Sequence, residues 1–147
     1  MNTSMHEWSL GIWGAHAADC LQWLSWGGLL LFGLPLLIMP LRWARLLGWA
    51  APAGEQPSEH LALYFGRTLG MLSCVVSLAG LAAVKLPALH PALFNITFMI
   101  FAANTLIHAW GAVRRIQPLS ETWEIPYWAA LAGVQYLFYP GAHWRWV

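Results

Sequence analysis

One apolar stretch, residues 91–115, constrains everything else in this chain. It carries no charge until Arg114 and Arg115, and at about 1.5 Å per residue it is long enough to cross a hydrocarbon core of ~30 Å. Backbone N–H and C=O groups in lipid must be paired within the segment, so it has to be helical. A turn of about 100° per residue places Thr97, Asn104, His108, Gly111 and Arg115 on one stripe. Leu93, Phe98, Met99, Ile100 and Leu106 fall on the other faces. Asn and His are costly in hydrocarbon, so the polar stripe is expected to face protein.

Three more segments of the same kind surround it. The expected spans are residues 21–39, 61–84, 92–113 and 126–141, the last the shortest. Apolar residues make up 59% of the chain and charged residues 9%, against about a quarter charged in soluble domains. Mean hydropathy is +0.55. The sequence therefore describes one all-α integral membrane domain over residues 1–147, an up-down bundle of four transmembrane helices joined by short connections. Pro35 is expected to kink the first span and Pro40 to help end it. Residues 41–49 read as an interfacial segment, 50–58 as a loop with Ser58 capping the next helix, and 114–125 as a polar connection. Met5, Trp8 and Ile12 share a helical face, which suggests a surface-lying segment at residues 4–16. Residues 1–19 lack a basic leader pattern and carry Glu7 and Asp19, so the first helix is expected to be retained.

Orientation follows from loop cations. Arg42, Arg45, Arg114 and Arg115 lie in the first and third connections, and only Lys85 and Arg145 on the other side. The basic connections are therefore expected in the cytoplasm and both termini outside, in a membrane such as a bacterial inner membrane. The eleven tryptophans fall near the two sets of helix ends and read as two interfacial belts, Trp49, Trp123 and Trp128 among them.

The second span carries its own pattern. Gly66, Gly70, Ser73, Ser77 and Gly80 lie on one face at small-xxx-small spacing, a helix-packing stripe. Arg67 lies about 9 Å into that span and His108 about 7.5 Å from the same end of the third, so the two are at similar height. Asn104 is one turn deeper than His108, and Tyr64 one turn shallower than Arg67. Glu121 and Glu124, three apart at the mouth of the fourth span, can turn their carboxylates toward the same place. Tyr64, Arg67, Asn104, His108, Glu121 and Glu124 are the candidate polar pocket, with a glutamate expected to pair with Arg67. Such a pocket would suit an acid/base histidine and a lipid- or sterol-like ligand, as in an isomerase-like enzyme. The structural alternative is a clasp, with Arg67 snorkelling and His108 bonding across helices.

Other chemistry is poorly supported. No catalytic residue is assigned, because no nucleophile elbow, phosphate loop or serine with an evident base occurs. The net charge of +1 gives no reason to expect nucleic acid. Cys20 and Cys74 have no metal spacing. His6, His16, His90, His143, Asp19 and Glu7 lie toward the outer side without ligand spacing, so no metal is expected. A b-haem would need His60 opposite His108, and His60 lies almost two turns too shallow. Four spans are few for a transporter that does not oligomerise.

Arg67-Thr68-Leu69-Gly70, then Ser73 and Ser77, then residues 93–99 and His108, resemble the small four-helix ergosterol-biosynthesis scaffold family. That family's second span opens on Arg-Thr-Phe-Gly, and its third carries an aromatic run and a histidine. A glutamate follows the family's histidine shortly; here the next one is Glu121. The plan of the chain is also similar to DoxX-like small membrane proteins. The first resemblance implies a non-catalytic scaffold that tethers membrane-bound partners. The function expected is thus a scaffold or accessory subunit without cofactor. Its surroundings would be the lipid bilayer and either a membrane-protein partner or further copies of itself. A ligand-binding membrane protein is the alternative.

Overall fold

A computed structural model describes residues 10–50 and 57–146. The described residues form helices and turns and no strand. The helices are α1 (Ala17–Gly27), α2 (Leu34–Ile38), α3 (Pro40–Leu46), α4 (Pro57–Ala83), α5 (Pro91–Arg114) and α6 (Leu119–Leu137). Three helical stretches are long and apolar enough to cross a membrane: Gly14–Ile38, Pro57–Ala83 and Pro91–Arg114. They mark the chain as a membrane protein. Of the surface segment expected at residues 4–16, residues 4–9 lie outside the described residues, and 10–16 form a turn and the 3₁₀ turn Gly14–His16; of the loop at 50–58, residues 51–56 lie outside them.

The first long stretch is continuous but not uniform. A 3₁₀ turn (Gly14–His16) leads into α1, and a π-helical turn (Gly28–Gly33) joins α1 to α2. Pro35 follows directly and has no N–H to offer the preceding turn. The wider π turn absorbs that mismatch, where the sequence suggested a kink. Met39 breaks the helix at φ −137°, ψ 56°, and Pro40 starts α3.

Two boundaries differ from expectation. Helix α4 begins at Pro57, so Ser58 stands inside its first turn and does not cap it. Helix α6 begins at Leu119, seven residues before the expected start, and ends at Leu137. Pro126 was expected to open this helix but lies within it; Pro118, extended at ψ 161°, precedes the first turn instead. The polar connection shrinks to residues 115–118. Arg115 ends α5 in the left-handed region at φ 55°.

The helices form two antiparallel pairs. The first long stretch lies along α4, and α5 lies along α6. The small-residue stripe is the seam of the first pair. A Cβ at Gly80 would strike Ser25 Oγ, one at Gly66 would strike Pro40, and one at Gly70 would strike the Leu36–Leu37 backbone. Gly33 answers Cys74 and Gly28 answers Ser77 from the other side. The Ser73 hydroxyl donates to Gly28 O at 3.3 Å. Small residues on both helices permit this close approach, which drives association in lipid. The stripe therefore packs within one chain.

In the second pair, Gln135 Nε2 donates to Thr97 Oγ1 at 2.6 Å, with Gln135 fully buried. Ala17, Leu21, Ala83, Phe94 and Tyr139 join the two pairs near one end of the molecule. There the Tyr139 hydroxyl donates to Arg145 O at 2.9 Å and accepts from Arg145 N at 2.7 Å. Asn95 Nδ2 donates to the same carbonyl at 2.6 Å. At the other end, the Phe32 and Trp128 rings meet at 5.4 Å.

Candidate functional site

The end of the molecule that holds the α5–α6 turn also holds a buried acidic–histidine cluster. His108 lies on α5, two turns before the helix ends. Glu121 and Glu124 lie in the first two turns of α6, and their spacing of three puts them on one face. Because α6 runs back along α5, that face is turned toward His108. His108 Nδ1 is 3.2 Å from Glu121 Oε2, and Nε2 is 3.8 Å from Glu124 Oε2. The side chains are 12%, 9% and 19% exposed for His108, Glu121 and Glu124.

Two tryptophans orient the carboxylates. Trp49 Nε1–H donates to Glu121 Oε1 at 2.7 Å, and Trp128 Nε1–H donates to Glu124 Oε2 at 3.0 Å. Trp128 also lies nearly parallel to the His108 ring, 6.3 Å away and inclined by 21°. Phe101 stacks on Trp128 at 5.8 Å. These rings separate the polar cluster from the middle of the bundle.

Gly48 explains how Trp49 arrives there. Its φ of 85° turns the chain back after α3, a conformation that costs an L side chain about 1–2 kcal/mol. The Ser120 hydroxyl then donates to Leu47 O, fastening this turn to the start of α6.

The cluster is polar but imperfectly paired. The 3.2 Å approach of Nδ1 to Glu121 is an ion-pair distance without hydrogen-bond alignment, so the buried Nδ1 has no hydrogen-bond partner. Glu124 precedes the apolar run of α6 that opens at Ile125. One ligand atom from each of His108, Glu121 and Glu124 lies within 4.8 Å of the others, a set able to hold a metal ion. The sequence reading expected no metal. It looked for ligand spacing along one segment, and this set is divided between two antiparallel helices.

The rest of the expected pocket lies elsewhere. Arg67 is exposed, and among the described residues it has no ion pair with a glutamate. It lines an open groove with Leu37, His60, Leu63, Tyr64, Thr68 and Met71. Gly66 and Gly70 turn toward the first long stretch, which leaves Arg67 and Tyr64 on the outer surface of α4. Helix α4 has little contact with α5, so equal height does not bring Arg67 to His108. His60 lies in that same groove, away from the cluster. Asn104 Nδ2 donates to Ile100 O at 2.8 Å, a bond within its own helix.

The sequence reading missed Trp49 and Trp128 as parts of the site. Both were assigned to interfacial belts, yet Trp128 is 8% exposed. The i, i+4 spacing of Glu124 and Trp128 was the available signal. Trp49 had none, being 72 residues from Glu121. No protein-family model, no curated protein and no solved structure matches this chain.

Proposed function

We propose that this protein is a small accessory or scaffold subunit of a membrane assembly. In this reading α6 crosses the bilayer as a fourth helix, both termini lie outside, and the connections bearing Arg42, Arg45, Arg114 and Arg115 face the cytoplasm. One observation carries the proposal: the deep polar side chains bond within the chain, and several of them fasten helix to helix. Gln135 bonds Thr97, Ser73 bonds Gly28, Asn95 and Tyr139 bond Arg145, and Asn104 and Thr105 bond their own helix. These pairings favour a bundle that acts through its outer surface over one that passes a solute through its middle. That surface is rich in large apolar side chains, with Trp23, Trp123, Trp110, Val113 and Leu119 all more than half exposed. The resemblance to the ergosterol-biosynthesis scaffold family points the same way.

The test is a crosslink. A photoreactive residue at Trp110 or Trp123 in native membranes is expected to capture one partner in stoichiometric amount. Capture of lipid alone from every outer position would end the scaffold reading.

A second reading has its own support. The buried cluster of His108, Glu121 and Glu124 suits a polar ligand bound at the cytoplasmic end. Under that reading, Glu121→Gln abolishes ligand binding while the bundle still folds. If a stoichiometric partner is captured and Glu121→Gln leaves its capture unchanged, the cluster plays no part in the assembly.

A further inference from the structure

We propose that His108, Glu121 and Glu124 form a divalent transition-metal site of one imidazole and two carboxylates, the ion being of the manganese, iron(II) or zinc type. This goes beyond the scaffold reading and does not depend on it.

The first argument is the His108–Glu121 edge. Two ligands bound to one ion at about 2.1 Å are separated by about 3.0 Å when they subtend 90°, and by about 3.4 Å at the tetrahedral angle. His108 Nδ1 and Glu121 Oε2 are 3.2 Å apart, inside that interval. They are also not aligned on each other as donor and acceptor, and Nδ1 is buried without a hydrogen bond. Buried polar atoms are nearly always bonded; Asn95 Oδ1 and Gln135 Oε1 are unbonded as well, but at His108 the unbonded atom also stands 3.2 Å from a carboxylate oxygen, and that close unaligned pair needs an explanation. A shared ion supplies one, because ligand lone pairs then converge on a common point.

The second argument is the surrounding shell. Each carboxylate accepts an indole N–H, Glu121 from Trp49 and Glu124 from Trp128. Metal-ligating carboxylates are commonly held this way, and such outer partners fix the ligand's orientation. Trp49 reaches the site only because Gly48 turns the chain back, so the shell is built by two separate parts of the fold. A hydrophobic floor of Trp128, Phe101 and Phe32 shields the cluster on one side.

The third argument is charge. Bound to an ion, the two glutamates would contribute −2 as carboxylates, which a divalent cation offsets. The donor set selects among cations. One nitrogen and two oxygens suit zinc, manganese or iron(II), whereas thiolate-seeking copper(I) and all-oxygen calcium sites use other ligands. The ligand atoms lie within 4.8 Å of one another. Glu124 Oε2 is placed 3.8 Å from Nε2, the other ring nitrogen, so sharing one ion with Nδ1 takes a rotation of the Glu124 carboxylate about its broad terminal torsion. Three protein ligands leave open positions on the ion for water or an anion.

The rival explanation is an imidazolium held between two carboxylates, with no ion. The experiment separates the two. The full-length protein, purified in detergent and stripped with a chelator, is titrated with Mn²⁺ alone and with Zn²⁺ alone. About one equivalent is expected to remain after desalting, measured by elemental mass spectrometry. The Glu121→Gln and Glu124→Gln variants are isosteric and are expected to weaken retention by about 100-fold. Trp49→Phe and Trp128→Phe are expected to weaken it by about 10-fold, the lower end for outer-shell partners. A readout on the unaltered protein guards against variants that fail to fold. Pulsed electron paramagnetic resonance of the bound Mn²⁺ is expected to show coupling to one imidazole nitrogen. Retention below a tenth of an equivalent for both ions would overturn the proposal in favour of the imidazolium clasp. So would a Mn²⁺ spectrum without nitrogen coupling. Retention unchanged in folded Glu→Gln variants would place the ion elsewhere and overturn it equally.

Discussion

Replacing Gly70 with alanine tests whether the α4 seam is a packing surface within the chain. A Cβ built at Gly70 lies 2.7 Å from the Leu36 carbonyl carbon and 2.8 Å from Leu37 Cα, with the Leu37 nitrogen nearer still. Carbon atoms rest at about 3.5–4.0 Å, so the first long stretch must withdraw by about 1 Å. The obstacle is backbone, and no side-chain rotation relieves it. A gap of 0.5–1 Å forfeits about a quarter to a half of each dispersion contact it opens. The neighbouring contacts at Gly66 and Gly80 lie on the same seam and open together. Overpacking of this kind costs about 1–3 kcal/mol. Alanine also improves helix propensity by up to about 1 kcal/mol, which would mask part of the loss. Gly133→Ala supplies the correction, since a Cβ there meets nothing within 4 Å. The assay is unfolding in mixed micelles of increasing SDS content, followed by circular dichroism. Gly70→Ala is expected to fall below Gly133→Ala by about 1–3 kcal/mol. Coincident unfolding curves for the two variants would refute the seam.

Three further outcomes follow from the same geometry. Gln135→Leu removes the bond to Thr97, whose hydroxyl keeps Leu93 O at 2.7 Å; a loss of about 0.6–1.7 kcal/mol is expected in the same micelle assay, and no loss would deny that bond a bracing role. Trp49→Phe strips the indole donor from Glu121 and is expected to cost about 1–3 kcal/mol, whereas Trp123→Phe, on a side chain 78% exposed, is expected to stay within about 0.5 kcal/mol; equal effects would remove Trp49 from the site. Gly48→Ala forces an L residue to φ 85° and is expected to cost about 1–2 kcal/mol and to shift tryptophan emission as Trp49 leaves Glu121; an unshifted spectrum would uncouple the turn from the cluster.

Height along a helix was legible in the sequence, and direction around it was not. The apolar stretches that became Gly14–Ile38, Pro57–Ala83 and Pro91–Arg114 are local patterns, readable without knowing a neighbour. The small-residue spacing on α4 is local too, though its partner is not. His108, Glu121 and Glu124 meet because their heights agree and because α5 and α6 are joined by a short turn. Arg67 has the same height, but its azimuth is set by Gly66 and Gly70, which claim the inward face of α4. Trp128 was assigned to a belt because a tryptophan near a helix end reads alike whether it faces lipid or protein. Pro126 misplaced the start of α6 because proline favours a first turn, while here Pro118 already marks the boundary.

The two ends of the α5–α6 pair contrast in a way that bears on where chemistry can occur. Toward one end, Asn95, Thr97, Gln135 and Tyr139 are neutral, and their hydrogen bonds tie helix to helix and helix to the 139–145 segment. Asn95 Oδ1 and Gln135 Oε1 are buried without a hydrogen-bond partner, but this end holds no carboxylate beside them among the described residues. At the other end the polar groups are charged or chargeable, and one close pair is not aligned. Charge is costly to bury, far more so than an amide, so it stays only where something offsets it. That end also lies close to a helix terminus. His108 precedes Arg114 by six residues, about 9 Å along the helix, and Glu121 stands in the first turn of α6. An ion entering from the water near residues 115–118 would reach both carboxylates without crossing the apolar middle of the bundle. Burial for holding charge and proximity to water for exchanging ions thus coincide at one end of this molecule, and they coincide at His108.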